Sequence, residues 1–161
     1  MTEVLGLRLA YRGFVTGLAA AYVWLALAMT VSGLLTADAL APLRPLATAL
    51  VAGSGAIPEL AFVLGFALVQ LAGGLVGMSF AYFFGRFFTA RRTLGAAAPL
   101  FALLTWGLLA TGLTAVSPVS PGTGLELSPL LATLGYGLVL GVGLPLRGEV
   151  LREPQPGSPV T

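Results

Sequence analysis

Residues 58–85 read PELAFVLGFALVQLAGGLVGMSFAYFFG, with one charge, Glu59, at the start and none after it until Arg86. About 20 apolar residues suffice to cross a bilayer as a helix. A charge at the bilayer centre costs about 2.5–3.5 kcal/mol, while each Leu, Ile, Phe or Val returns only a few tenths. A charge-free run of this length therefore predicts a transmembrane helix. Pro58 suits a first helical turn, where its missing N–H is no loss, and Glu59 complements the positive helix N-terminus.

The same punctuation extends outward. Charge-free runs also lie between Arg12 and Asp38, between Arg92 and Glu126, and between Glu126 and Arg147. They predict spans over about 13–36, 94–116 and 128–146 beside the one over 58–85. The third span stops where Ser117, Pro118, Ser120, Pro121 and Gly122 accumulate, because Pro removes a backbone donor and Gly favours turns. Residues 46–52 are too few to span, and Gly53, Ser54 and Gly55 break the run that follows. They read as a short helix that is either interfacial or re-entrant. The expected fold is all-α: an integral membrane bundle of four transmembrane helices, with that short helix between the first and second. One domain covers residues 1–146, and a polar, proline-rich tail covers 147–161.

Composition agrees. Of 161 residues, 57% are hydrophobic and 9% charged, against about a quarter charged in a soluble domain. The net charge of +2 comes from eight Arg and no Lys, set singly or as a pair at the ends of apolar runs. No basic face forms, so a nucleic-acid partner is not expected. Without Cys or His, disulfides, thiolate metal sites, Fe–S clusters and histidine haem ligation are excluded. No cofactor or metal is expected. The first apolar run is too long for a signal-peptide core and lacks a small-residue cleavage site, so it is expected to be a retained helix.

Orientation follows from arginine. Arg8, Arg12, Arg86, Arg91, Arg92, Arg147 and Arg152 fall on one side of a four-span topology, leaving Arg44 on the other. Positive charge stays in the cytoplasm, which places both termini there and the protein in the plasma membrane as a multi-pass chain. Phe83, Phe84, Phe87 and Phe88 beside Arg86, Arg91 and Arg92 read as an interfacial anchor, with the arginines reaching lipid phosphates. Trp24 and Trp106 lie too near mid-span for such a belt.

Small residues recur every fourth position: Gly13, Gly17 and Ala21; Gly73, Gly77, Ala81 and Gly85; Gly137 and Gly141. In lipid, helices associate through close packing, and such stripes let backbones approach. Four helices offer enough internal partners for the stripes to be assigned to contacts within the monomer, with a homodimer seam as the alternative. Gln70 stands out among the mild polar residues of the spans, since hydrocarbon satisfies neither its donors nor its acceptor. Thr105, Thr133 and Tyr136 are its expected partners. The four form a candidate intramembrane polar cluster, serving either as packing glue or as the lining of a small ligand cavity.

Function is less legible than fold. Proton pumps and ion-coupled transporters carry ionisable groups deep in the membrane, whereas Asp38, Glu59 and Glu126 all sit at the external ends of the spans. Pairing Glu59 with Asp38 or Glu126 is a permitted geometry for acid/base work, but no nucleophile stands beside a base and no phosphate loop is present. An enzyme is not expected. A structural or accessory membrane subunit, packed in the bilayer against another membrane protein or its own copies, fits best. A small-solute transporter or channel component is the alternative.

The order of features resembles a family of small four-helix prokaryotic integral membrane proteins of unknown function. The residues that carry it are Gly13 and Gly17, Pro42 and Pro45, Gly73 and Gly77, the loop 118–124, and Tyr136, Gly137 and Gly141. In the relatives it looks like, a His often precedes the second-helix glycines and another precedes the fourth-helix Tyr-Gly. Gln70 and Thr133 take those places here, so any binding carried by that pair is expected to be lost or altered. The resemblance implies fold and location, with no activity to carry over.

Overall fold

The computed structural model describes residues 2–44, 46, 58–116, 127–146 and 149–150. Among these the chain forms four α-helices: α1 (Thr2–Thr36), α2 (Pro58–Phe83), α3 (Arg91–Val116) and α4 (Leu127–Gly143). The first three contain runs long and apolar enough to cross a membrane. The fourth is apolar but has 17 residues, about 25 Å at 1.5 Å per residue, the lower bound for a span. Residues 47–52, most of the expected short helix, lie outside the described residues, as do the loop 117–126 with Glu126 and nearly all of the tail.

Helix ends depart from the expected spans for identifiable reasons. Helix α1 begins at Thr2 rather than near 13, and its 35 residues extend about 52 Å. Arginine limits a membrane span but is a good helix former, so Arg8 and Arg12 do not interrupt the backbone. The same applies to Arg91, where α3 starts three residues earlier than expected. Helix α4 stops at Gly143 instead of 146, because Pro145 disfavours helical geometry in the residue before it. At the end of α1, Ala37 adopts a left-handed φ of 57°, and its N–H donates to the Gly33 carbonyl at 3.1 Å. This is the position glycine usually fills.

Helix α1 is the central element. It packs along α2 on one side and α4 on the other, α3 packs along α4, and α2 and α3 touch little. The α1–α2 contact is backbone against backbone. A methyl group added at Gly13 would collide with the Gly77 carbonyl and the Ala81 methyl, and one at Gly17 with the Gly73 carbonyl. From the other side, a methyl at Gly73 would stand 2.6 Å from the Ala21 Cβ, and one at Gly77 2.7 Å from the Gly17 Cα. Gly13, Gly17 and Ala21 thus run antiparallel to Ala81, Gly77 and Gly73. Both stripes of the seam come from one chain.

A second seam joins α3 and α4. A methyl at Gly137 would strike the Pro99 Cα, and one at Gly141 would lie 2.9 Å from the Gly95 Cα. Pro99 lies inside α3, where it cannot donate to the carbonyl four residues before it. Gly85 belongs to neither seam. Helix α2 has ended by then, and the Gly85 N–H donates to the Ala81 carbonyl at 3.0 Å, so this glycine closes the helix rather than packing it. The buried core is small-residue rich, with Ala20, Ala21, Ala81, Ala98 and Ala102 around Phe80, Leu94, Tyr136, Leu140 and Leu144.

The same substitution should have opposite signs at two glycines. Gly77→Ala should destabilise the fold by about 1–3 kcal/mol, the usual cost of overpacking. Gly107, around which nothing lies within 4 Å, should gain up to about 1 kcal/mol from Gly107→Ala through helix propensity. Unfolding in detergent followed by circular dichroism checks both.

Candidate functional site

The polar residues singled out in the sequence lie on three helices, Gln70 on α2, Thr105 on α3, and Thr133 and Tyr136 on α4, and they do not form one hydrogen-bonded cluster. The Tyr136 hydroxyl donates to the Gly73 carbonyl at 2.6 Å, linking α4 to α2 across the bundle. Thr133 donates to the Pro129 carbonyl at 2.7 Å and accepts from the Trp24 indole N–H at 3.1 Å, linking α4 to α1. Thr105 turns onto the Phe101 carbonyl of its own helix at 2.8 Å, as threonine does when no better acceptor is near. Each hydroxyl is therefore engaged without Gln70.

Gln70 itself is the exception. Both polar atoms of its side chain are buried and have no hydrogen-bond partner among the described residues. The expectation that Thr105, Thr133 or Tyr136 would satisfy it is not met. A carbonyl or a ring N–H satisfied each of those hydroxyls first. An unpaired buried amide costs about 1–3 kcal/mol, so Gln70 is held by its neighbours' packing and not by its own bonds.

At the arginine-bearing end, Arg91 does work that the sequence did not signal. Its guanidinium donates to the Val142 carbonyl at 2.9 Å and the Leu144 carbonyl at 2.7 Å. It also pairs with both carboxylate oxygens of Glu149, at 3.1 and 2.8 Å. The last carbonyls of a helix lack intrahelical donors and carry partial negative charge, so Arg91 caps α4 and ties it to the start of α3. The expectation that Arg91 reaches lipid phosphates is corrected accordingly. The Leu146 N–H donates to Glu149 at 2.9 Å. That bond, and then Arg91, hold the carboxyl below its ordinary pKa of 4.5.

Above Arg91 the α2–α3 corner is aromatic. Phe80 lies 5.0 Å from Phe101 and 5.8 Å from Phe84, ring centre to ring centre, which makes this the place where α2 meets α3. At the opposite end Asp38 pairs with Arg44 at 2.7 Å and accepts the Leu40 N–H at 3.1 Å. The Ser32 hydroxyl donates to the Asp38 carbonyl at 2.9 Å. Asp38 is thus committed to closing α1. Glu59 instead lines an open apolar cleft of about 470 Å³ with Met29, Leu40, Phe62 and Val63. The permitted Asp38–Glu59 pairing is not made among the described residues, since Asp38 is paired with Arg44, and Glu126 lies outside the described residues. Neither Gln70 nor Tyr136 lines this cleft.

Two contributions lie beyond the sequence reading: the seam role of Pro99 and the bond from Trp24 to Thr133. Pro99 was readable as a proline inside an apolar run, and its spacing from Gly95 marks the face that receives Gly137 and Gly141. Trp24 was noticed, but its bond to Thr133 joins residues 109 positions apart, which no local pattern encodes. Comparison with family models, with curated proteins and with solved structures finds no match.

Tyr136→Phe should destabilise the fold by about 0.6–1.7 kcal/mol, the range for interhelical hydrogen bonds in membranes. Gln70→Leu should stabilise it by about 1 kcal/mol, because an orphaned amide is removed. Chemical unfolding in detergent reads both. For Glu149, a folded pKa below the unfolded one makes the α4 clamp complete above the unfolded value and lost as pH falls through the folded value. Melting temperature should therefore fall on acidification below about pH 4.5, and Glu149→Gln should flatten that limb.

Proposed function

We propose that the chain is a multi-pass integral protein of the plasma (cytoplasmic) membrane. Its four helices cross the bilayer in alternating directions, with both ends of the chain in the cytoplasm. It serves as a structural or accessory subunit, packed against another membrane protein or further copies of itself. Its resemblance to the small four-helix prokaryotic family forms part of this proposal and agrees with it in fold and location.

One observation carries the reading: the interior is closed by glycine-to-backbone contact along both seams. No acidic or basic residue stands between residues 13 and 37, 60 and 85, 93 and 125, or 127 and 146. The hydroxyls of Thr105, Thr133 and Tyr136 are spent on structural bonds. Helix α3 is the surface offered to a partner, since nothing lies within 4 Å of a methyl added at Gly107 or Gly112 and Leu104 and Leu108 beside them are 70% and 74% exposed. Transmembrane helices associate by packing rather than by burial from water, so an apolar face of this kind accepts lipid and protein alike.

Gln70 favours a second reading. A buried amide without a partner is what a small-solute transporter or channel component would present to a passing hydrogen-bonding solute.

Affinity purification from gently solubilised native membranes, with mass spectrometry of what co-elutes, separates the two. A stoichiometric membrane partner, or a defined homo-oligomer, is the expected result. A lone monomer would move the weight to the solute pathway. The absence of Cys makes topology easy to read by single-cysteine labelling in spheroplasts. Arg92→Cys should react only after the membrane is permeabilised, and Leu40→Cys should react before.

A further inference from the structure

We propose that the corner between α2 and α3, with Arg86 and Arg92 as its cations, is a binding site for the phosphate of an anionic phospholipid headgroup. This rests on the membrane reading above and goes beyond it by naming a ligand class and the side chains that take it.

Three adjacent arginines flank this corner, and they have been sorted by the fold. Arg91 is consumed, since its donors go to the α4 carbonyls and Glu149. Arg86 and Arg92 are exposed and pair with no carboxylate among the described residues. Glu149 is held by Arg91. Among the described residues, these two positive charges are exposed and meet no carboxylate.

Their surroundings point to a lipid rather than a dissolved anion. The Arg86 guanidinium carbon stands 4.9 Å over the centre of the Phe87 ring. At this distance the contact is a cation–π one, and the exposed guanidinium keeps N–H groups that can donate to phosphate oxygens. Phe87 and Phe83 are 67% and 56% exposed, and Tyr82 and Phe84 are 51% and 43% exposed. A band of uncovered rings beside arginines matches the depth profile of a membrane interface, with rings at the headgroup boundary and guanidinium groups among the phosphates. A free phosphate ion would leave these rings in water. The excess positive charge selects a headgroup with net negative charge over a zwitterionic one, whose own cation competes for the phosphate. Basic groups at an anionic surface contribute about a fivefold preference each.

The test uses the purified full chain in a neutral maltoside detergent, titrated with phosphatidylglycerol, with phosphatidylcholine, or with inorganic phosphate. Native mass spectrometry counts bound lipid, and thermal unfolding reads stabilisation. The native chain should prefer phosphatidylglycerol, Arg86→Gln and Arg92→Gln should each lower that preference about fivefold, and the double variant should abolish it. Melting in phosphatidylcholine should be unchanged in all three, which reports that they fold. Equal binding of the two lipids by the native chain, an undiminished preference in the double variant, or equal stabilisation by inorganic phosphate would overturn the site. A chain that stayed monodisperse after detergent removal would instead defeat the membrane reading itself.

Discussion

Everything in this fold hangs on the approach of two backbones, the α1 stripe of Gly13, Gly17 and Ala21 against the α2 stripe of Gly73, Gly77 and Ala81. In water such a seam would be a poor investment, because glycine buries no side chain. In hydrocarbon there is no water to expel, and association depends on van der Waals contact, which grows as axes come closer. The seam fixes the antiparallel register of the pair. That register brings the Gly73 carbonyl within reach of Tyr136, which ties α4, itself packed along α1, to α2 as well. A methyl at Gly73 would stand 3.4 Å from the tyrosine ring, so the same absence of a side chain serves two contacts.

The other half is built by a looser version of the same rule. Helix α4 meets α3 through Gly137 and Gly141 against Pro99 and Gly95, and meets α1 through Trp24 and Thr133. Helix α3 is then fastened at one end only, by the Phe80–Phe101 contact and the Arg91 cap. Its far half, around Gly107 and Gly112, has open space beside it. The bundle is tight along α1 and open along α3, and this asymmetry gives the proposed subunit a face to offer.

Much of the fold was legible because its determinants are local. Charges bound the apolar runs, and glycines at four-residue spacing mark one face of a helix. Helix ends depart from span ends where backbone preference and hydropathy diverge. Arg8, Arg12 and Arg91 end a span without ending a helix, while Gly143 and Pro145 shorten α4 by a backbone preference unrelated to hydropathy. The polar site was far less legible. Residue types announced that Gln70, Thr133 and Tyr136 need partners, but whether a hydroxyl turns to an amide or to a carbonyl is decided by axial rotation and register between helices. Those are properties of the seam, invisible in any one segment. Arg91 shows the same limit: three neighbouring arginines look alike in sequence, and only the position of α4's end distinguishes the one that caps it.

The central claim is that the glycine stripes close against each other within one chain. It is tested most directly by cross-linking in the otherwise cysteine-free protein. Tyr22 of α1 and Phe66 of α2 flank the glycine stripes, with ring centres 5.7 Å apart, so Tyr22→Cys and Phe66→Cys leave the seam itself untouched. With the two combined and a short bifunctional thiol reagent applied in native membranes, the cross-link should form inside the monomer, seen on a gel as an altered band at monomer mass. A cross-linked dimer would place the stripes between two copies, and no cross-link between two reagent-accessible cysteines would mean that α1 and α2 do not pack in this register; either result would contradict the account.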